Sequence, residues 1–399
     1  MTRRDVLHNR SVFQPREPAF WIFAAFLGYG AIRIVSALID LSSISRSGWA
    51  LSWILLALYA APLFLLIYYL DLYEREPWSV AIAAFLWGAF AATALTLSSG
   101  GWNELLVRAL GPDTAGRWGP ALTAPFIEEF LKGAGIVLLY LIVRDELDDA
   151  MDGFVYGALC GLGFAVVEDV VYFMAAFGGT PQGVLQGFYV RVLSSGLYGH
   201  VLYTGLVGMA IGIVVSRREP APLRDRLWTA AGIVALAVFG HFLWNSPLLS
   251  ITPSAPIEGG EWLLITLGMA VKGLPLLLFV LIALRLARRR EERWLDDALA
   301  AEIGGEGISR GEYRALRDPR RRRAAVAATR RRAGASAGRL LERLQHEQID
   351  LAMLASRVAT GDDPALVAQR EYCRSLRDAL AAIPGALPAA GVAPTEGPG

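Results

Sequence analysis

The sequence predicts an all-α, polytopic integral membrane protein with about eight transmembrane helices and a helical cytoplasmic C-terminal tail. Three observations carry this. Of 399 residues, 54% are hydrophobic and only 19% are charged, against about 25% charged in ordinary soluble domains. Mean hydropathy is +0.42. The apolar residues also gather into runs of roughly 20, the length that crosses about 30 Å of hydrocarbon.

In chain order, residues 1–18 form a polar N-terminal segment with Arg3, Arg4, Arg10 and Arg16. The apolar run that follows is long enough to span, so it reads as a first anchor rather than a cleavable signal. Spans are expected near 19–39, 50–70, 78–97, 121–143, 153–177, 192–215, 228–249 and 262–284. Trp21, Trp49, Trp78, Trp118, Trp228 and Trp262 stand at or near span ends, where interfacial anchors belong. Arginines in the N-terminal segment, in the 216–227 loop and after residue 284 place both termini in the cytoplasm of a multi-pass cell-membrane protein.

Residues 19–284 thus read as the membrane domain and 285–383 as an Arg-rich helical tail. Within the tail, Leu366, Tyr372, Leu376, Leu380 and Ile383 keep a helical beat. Its arginine blocks at 320–323 and 330–332 suit contact with anionic headgroups; no nucleic-acid partner is expected. Residues 384–399, rich in Pro, Gly and Ala, read as disordered. The net charge of +1 excludes nothing about partners, and Cys160 and Cys373 sit too far apart in character to form a disulfide framework or a metal motif.

Ionisable groups inside the spans are costly and call for a reason. The fourth span carries Glu128, Glu129 and Lys132, and the fifth Glu168 and Asp169. The sixth has His200 with Thr204, and the seventh His241 with Asn245. At 1.5 Å per residue, with alternating directions, Glu128, Glu168, His200 and His241 each fall roughly 11–14 Å from the outer surface. Glu128 and Lys132 are one turn apart on one face. Each histidine has a hydrogen-bonding residue at i+4, although Thr204 can also bond its own backbone. Gly205, Gly208 and Gly212, with the "GALCGLGFA" run of the fifth span, permit close helix approach. All basic residues but Lys132 and Lys272 are arginine, so both lysines lie in apolar spans.

Two chemistries fit such a constellation. One Glu acts as general base on water while imidazole and Asn side chains polarise a carbonyl. Alternatively, His200, His241 and a Glu hold Zn²⁺ with an open position for water. No H-E-x-x-H motif is present, so ordinary zincin chemistry is not indicated. A different class also remains: a proton- or ion-coupled transporter using the Glu/Lys/His cluster as a relay.

The motifs resemble those of the PrsW family of intramembrane proteases, distant relatives of the CAAX prenyl proteases. The resemblance covers roughly residues 65–250. It rests on "LDLYEREPW" (70–78), E-E-x-x-K at Glu128, Glu129 and Lys132, F-x-x-x-E at Phe164 and Glu168, "HVLYTGLVGMAIG" from His200, and His241. The family pattern often has Asn after the second-motif Glu; here Asp169 stands there. His241-x-x-x-Asn245 is similar to the last motif of the CAAX-type relatives, where the pair is thought to assist the oxyanion.

The resemblance implies cleavage of membrane-anchored protein substrates, anti-sigma factors in bacterial members. It leaves metalloprotease and glutamate-protease mechanisms both open. On this basis Glu128 is expected to activate water, with Glu129 and Lys132 setting its position. Glu168, His200 and His241 would complete the site or bind Zn²⁺, and Asn245 would assist the oxyanion. The Arg-rich tail lies outside the resemblance.

Overall fold

In the computed structural model, the described residues are 11–386 apart from 71–75, 145, 195–198, 217–220, 249–260, 305–306, 358–360 and 362. The expected disordered terminus therefore lies almost wholly outside the described residues. Helices account for the fold, and no strand occurs among the described residues. Contacts divide the chain between Ala287 and Arg288 into two compact units.

The membrane unit begins with α1 (Pro18–Ser42) and α2 (Arg46–Tyr68). The third helix, α3 (Trp78–Leu97), contains a wide π turn at Trp87–Ala92, where the Thr93 hydroxyl donates to the Gly88 carbonyl. Next come a short helix, α4 (Gly101–Leu110), and α5 (Pro112–Ile142), followed by α6 (Ala150–Ala175). A second short helix, α7 (Pro181–Phe188), runs into another π turn at Tyr189–Leu193. The unit closes with α8 (His200–Val215), α9 (Leu223–Asn245) and the start of α10 (Glu261–Ala301).

Six of these (α1, α2, α3, α6, α9 and α10) are long and apolar enough to cross a membrane. The other two expected spans depart from that simple form. In α5, three ionisable residues interrupt the apolar stretch, and the helix starts well before Pro125, which lies inside it. The expected span from 192 is instead a 16-residue helix beginning at His200. His200 therefore enters the site from a helix start, not from two turns along a continuous span, which corrects the depth argument for that residue.

Burial shows which helix the others surround. The apolar window of α6 is 83% buried, whereas those of α1, α2, α9 and α10 are buried by about a fifth. Its N-terminus is set by Asp149, which caps the Met151 and Asp152 amides while Asp152 returns a bond to the Asp149 amide. Part of the acidic 144–152 stretch is thus a helix cap.

Glycine every fourth residue lets α8 lie directly on α6. A Cβ at Gly153, Gly157 or Gly161 would collide with the carbonyl oxygens of Gly208, Thr204 and His200 respectively. In lipid, where apolar burial does not drive helix association, such close backbone contact supplies the attraction. It also sets His200 and Thr204 against the α6 backbone. On the other side of α6, Gly163 sits against the Phe85 carbonyl and Gly88 against the Cys160 carbonyl.

The second unit contains the end of α10 with α11 (Arg310–Leu316), α12 (Pro319–Arg357) and α13 (Pro364–Ala381). Its core includes Leu295, Leu299, Leu316, Leu344, Leu351, Leu366, Leu376 and Leu380. Two forked pairs tie it together. Arg370 reaches both oxygens of Glu302 at 2.8 and 2.9 Å, and Arg377 both oxygens of Glu312 at 2.8 Å.

Candidate active site

The site grows from one turn of α5. Trp87, on the π turn of α3, donates its indole N–H to the Leu131 carbonyl at 3.0 Å and packs where Gly135 has no side chain. That contact fixes the turn carrying Glu128, Glu129 and Lys132, all buried. The Lys132 ammonium donates to Glu129 Oε1 at 2.6 Å and lies 3.5 Å from Glu128 Oε2. It sits over the Phe164 ring, 4.3 Å from the centroid, which explains the aromatic in the F-x-x-x-E motif.

The two glutamates differ sharply. Glu129 accepts from Lys132, from His241 Nδ1 at 3.0 Å and from the Thr204 hydroxyl at 2.9 Å. Thr204 therefore does not spend its hydroxyl on its own helix, the alternative that its sequence position allowed. Glu128 Oε2 is buried with no hydrogen-bond partner among the described residues. It faces His200 Nδ1 at 3.7 Å and His241 Nε2 at 3.8 Å.

The hydrogen bonds assign both tautomers. Lys132 donates to His200 Nδ1 at 3.0 Å, so His200 Nε2 donates to Glu168 Oε2 at 2.9 Å. His241 donates from Nδ1 to Glu129, which leaves its Nε2 as an acceptor turned toward Glu128. Tyr203 stacks on the His241 ring with centroids 4.9 Å apart, fixing its plane.

Arg191, on the π turn after α7, closes the cluster. It donates to Glu168 at 2.7 Å and Asp169 at 2.5 Å and lies over the Tyr172 ring. Asp169 is thus half of a clamp on one guanidinium. Sequence reasoning missed Arg191 and Tyr203. The signal for Arg191 was an arginine just before an apolar span, with two adjacent carboxylates needing a cation. Tyr203 gave none, because an aromatic on an apolar helix is ordinary core.

Of the expected site residues, Glu128, Glu129, Lys132, Glu168, His200 and His241 come together from α5, α6, α8 and α9. Asn245 does not. Its amide reaches the Pro120 carbonyl of α5 at 3.5 Å, about two helical turns before Glu128, because it stands one turn beyond His241 at the end of α9. Lys272 acts structurally. Its ammonium donates to the Trp244 and Ser246 carbonyls at 3.2 and 3.0 Å, capping the end of α9 just beyond His241.

The expected metal set of His200, His241 and Glu168 also changes. Glu168 lies behind His200, on Nε2, whereas Glu128, Glu129, His200 and His241 bring ligand atoms within 4.8 Å of one another. Four carboxylates (Glu128, Glu129, Glu168, Asp169) face two permanent cations, Lys132 and Arg191. Burying the excess negative charge in lipid requires either protons or a divalent cation. The orphaned Glu128 oxygen between two imidazole nitrogens is where either fits.

The described unit matches known proteins over this same region. Residues 76–286 match the family described as PrsW family intramembrane metalloprotease. Protease PrsW of Geobacillus kaustophilus (strain HTA426) is 31% identical over 180 residues, covering 44% of this chain and 71% of the relative. No solved structure matches the chain. A multi-pass helical protein with these relatives is an intramembrane peptidase. The chain belongs to the PrsW family, and the transporter alternative finds no support.

Proposed function

We propose that the chain hydrolyses a peptide bond in a membrane-anchored protein substrate, using a water activated at Glu128. The observation that carries this reading is the Glu128 Oε2 atom, buried, without a hydrogen bond among the described residues, 3.5 Å from the Lys132 ammonium and facing two imidazole nitrogens. A water held between Glu128 Oε2 and His241 Nε2 gives up a proton to Glu128 as its oxygen attacks the carbonyl carbon. Glu129, saturated by three donors, holds Lys132, His241 and Thr204 in place. The Lys132 ammonium, fully desolvated and fixed, stabilises the oxyanion. Glu128 then returns the proton to the leaving amine.

In this reading Glu168 orients His200 and Arg191 orients Glu168. Their side chains, with that of His200, are the most exposed of the cluster, at 18%, 19% and 12%. The substrate bond therefore enters from that side.

The family's metal fits the donor types, with Lys132 giving up its bond to His200 Nδ1 where the metal binds. His200 and His241 with a carboxylate oxygen of the Glu128/Glu129 pair are the type of ligand set that catalytic Zn²⁺ takes. Zn²⁺ bound there would acidify the water and polarise the carbonyl. Elemental analysis of purified protein tests it: about one zinc per chain is expected, lost in His241→Ala. Full activity in metal-free protein overturns the metal and leaves the glutamate mechanism.

We further read residues 19–284 as the peptidase domain of a cell-membrane protein with both termini cytoplasmic, and an anti-sigma-factor-like protein as the substrate type. Comparative proteomics of membrane fragments from cells carrying wild-type or Glu128→Gln protein tests the substrate. The central test is Glu128→Gln in purified protein with a membrane-anchored substrate, for which undiminished cleavage sinks the assignment.

A further inference from the structure

We propose that the arginine face of α12 docks on anionic phospholipid headgroups of the bilayer that the chain spans. Between residues 319 and 341 there are eight arginines and no Asp or Glu. The helix is broken at Gly334, where φ is 89°, so the first fifteen residues form a rod of their own.

One side of that rod is packed. Thr329 is buried and donates to the Ala386 carbonyl at 3.2 Å, and the Arg322 carbonyl accepts from Gln345 at 3.4 Å. Arg322 and Val326 are half-buried. At about 100° per residue these three positions share one side of the helix. Arg320, Arg323, Arg330 and Arg331 span roughly 100° away from that side, and Arg321 and Arg332 extend the arc to roughly 200°. All six are exposed.

Three carboxylates elsewhere in the unit are engaged with other cations. Glu302 is paired with Arg370, Glu312 with Arg377 and Asp296 with Arg317. Near the face, Asp318 lies 3.7 Å from Arg321 and caps the Arg320 amide. The remaining positive charge points outward.

Its chemistry selects the occupant. Guanidinium forks match phosphate oxygens, and a face written wholly in arginine favours that ligand over a diffuse acidic one. Residues 319–341 contain no aromatic side chain on which a base could stack. Between the arginines stand only alanines, one valine and Thr329, so the face has charge but no apolar edge to insert. Binding is therefore electrostatic and superficial. The C-terminal unit follows directly on the last candidate membrane span in the chain. This tethering to a membrane span keeps the headgroups at high effective concentration.

Full-length protein in nanodiscs of phosphatidylcholine, with or without roughly 30% phosphatidylglycerol, tests this by hydrogen exchange of residues 319–333. The 310–316 segment is the internal reference. Anionic lipid is expected to slow exchange in 319–333 by about tenfold, and roughly 0.5 M salt to remove the protection. R320Q/R323Q/R330Q/R331Q is expected to lose the lipid dependence while it keeps peptidase activity. Equal exchange in both lipids overturns the proposal. So does protection that appears only with added RNA or DNA, whatever the lipid.

Discussion

The membrane site and the C-terminal unit use charged residues in opposite ways. In the C-terminal unit Glu312 and Glu302 are each closed by a forked arginine, Arg377 and Arg370, and six arginines between residues 319 and 333 of α12 are exposed. In the membrane four carboxylates share two cations, and one oxygen of Glu128 is left without a hydrogen bond among the described residues. A structural ion pair satisfies its atoms. A reactive site keeps one unsatisfied, held in place by neighbours that are. That contrast separates Glu128 from Glu129, although they are adjacent on one helix turn.

The largest expected effect tests the open end of the contrast. Glu128→Gln keeps the size of the side chain but cannot take a proton, and cleavage should fall by about 10²–10⁴-fold. Circular dichroism and gel filtration should show an unchanged fold. A variant with near-normal cleavage would mean that the unpartnered oxygen is only a packing defect.

Next is the frame that delivers His200. Gly161→Leu places a side chain against the His200 carbonyl and should separate α8 from α6. Overpacking of this kind costs about 1–3 kcal/mol or more. A lowered thermal midpoint with loss of cleavage is expected, while Gly232→Leu, at a position with open space, should change neither.

A smaller effect tests the closed glutamate inside the membrane. Thr204→Val removes one of three donors to Glu129, and an unmet buried acceptor costs about 1–3 kcal/mol. Cleavage should drop roughly tenfold in kcat with little change in KM, and Thr204→Ser should restore it. If Thr204→Val were silent, Glu129 would not need its full set of donors.

The smallest effect lies in the C-terminal unit. Arg377→Met should speed local hydrogen exchange in α13, with a loss of about 1–2 kcal/mol, and leave peptidase kinetics unchanged. Burial by itself would raise the Glu312 carboxyl, but the bonds from Arg377 and from the Ser309 amide hold it below its ordinary value. A lowered carboxylate contributes stability that is complete above the unfolded value of about 4.3. That contribution disappears as pH falls through the lower folded value. Wild-type α13 should therefore loosen only below about pH 4.3, and Arg377→Met should show a weaker acid response. Loss of cleavage in this variant would erase the contrast between the two units.

Much of this was legible in the residues. Helix class and the membrane spans follow from apolar run length, because lipid forces every backbone amide to be satisfied within a helix. The proposed site was suggested for a related reason: Glu128, Glu129, Lys132, Glu168, His200 and His241 are costly in hydrocarbon. What failed were details that depend on where helices stop. Asn245 shares a spacing with His241, yet α9 ends there and its amide turns to Pro120. His200 looked like the middle of a span and is the first residue of a helix.

By itself, then, the sequence determined the membrane class, the motif order and the six residues that gather, since burial cost and helical period act on each residue locally. The tertiary structure decided the rest: which glutamate is saturated, that Arg191 clamps Glu168 and Asp169, that Thr204 bonds Glu129, and that Glu168 stands behind His200. Those are contacts between atoms on different helices. No periodicity along one chain encodes them; the glycine contact of α6 with α8 and the Trp87 bond to α5 bring them into reach.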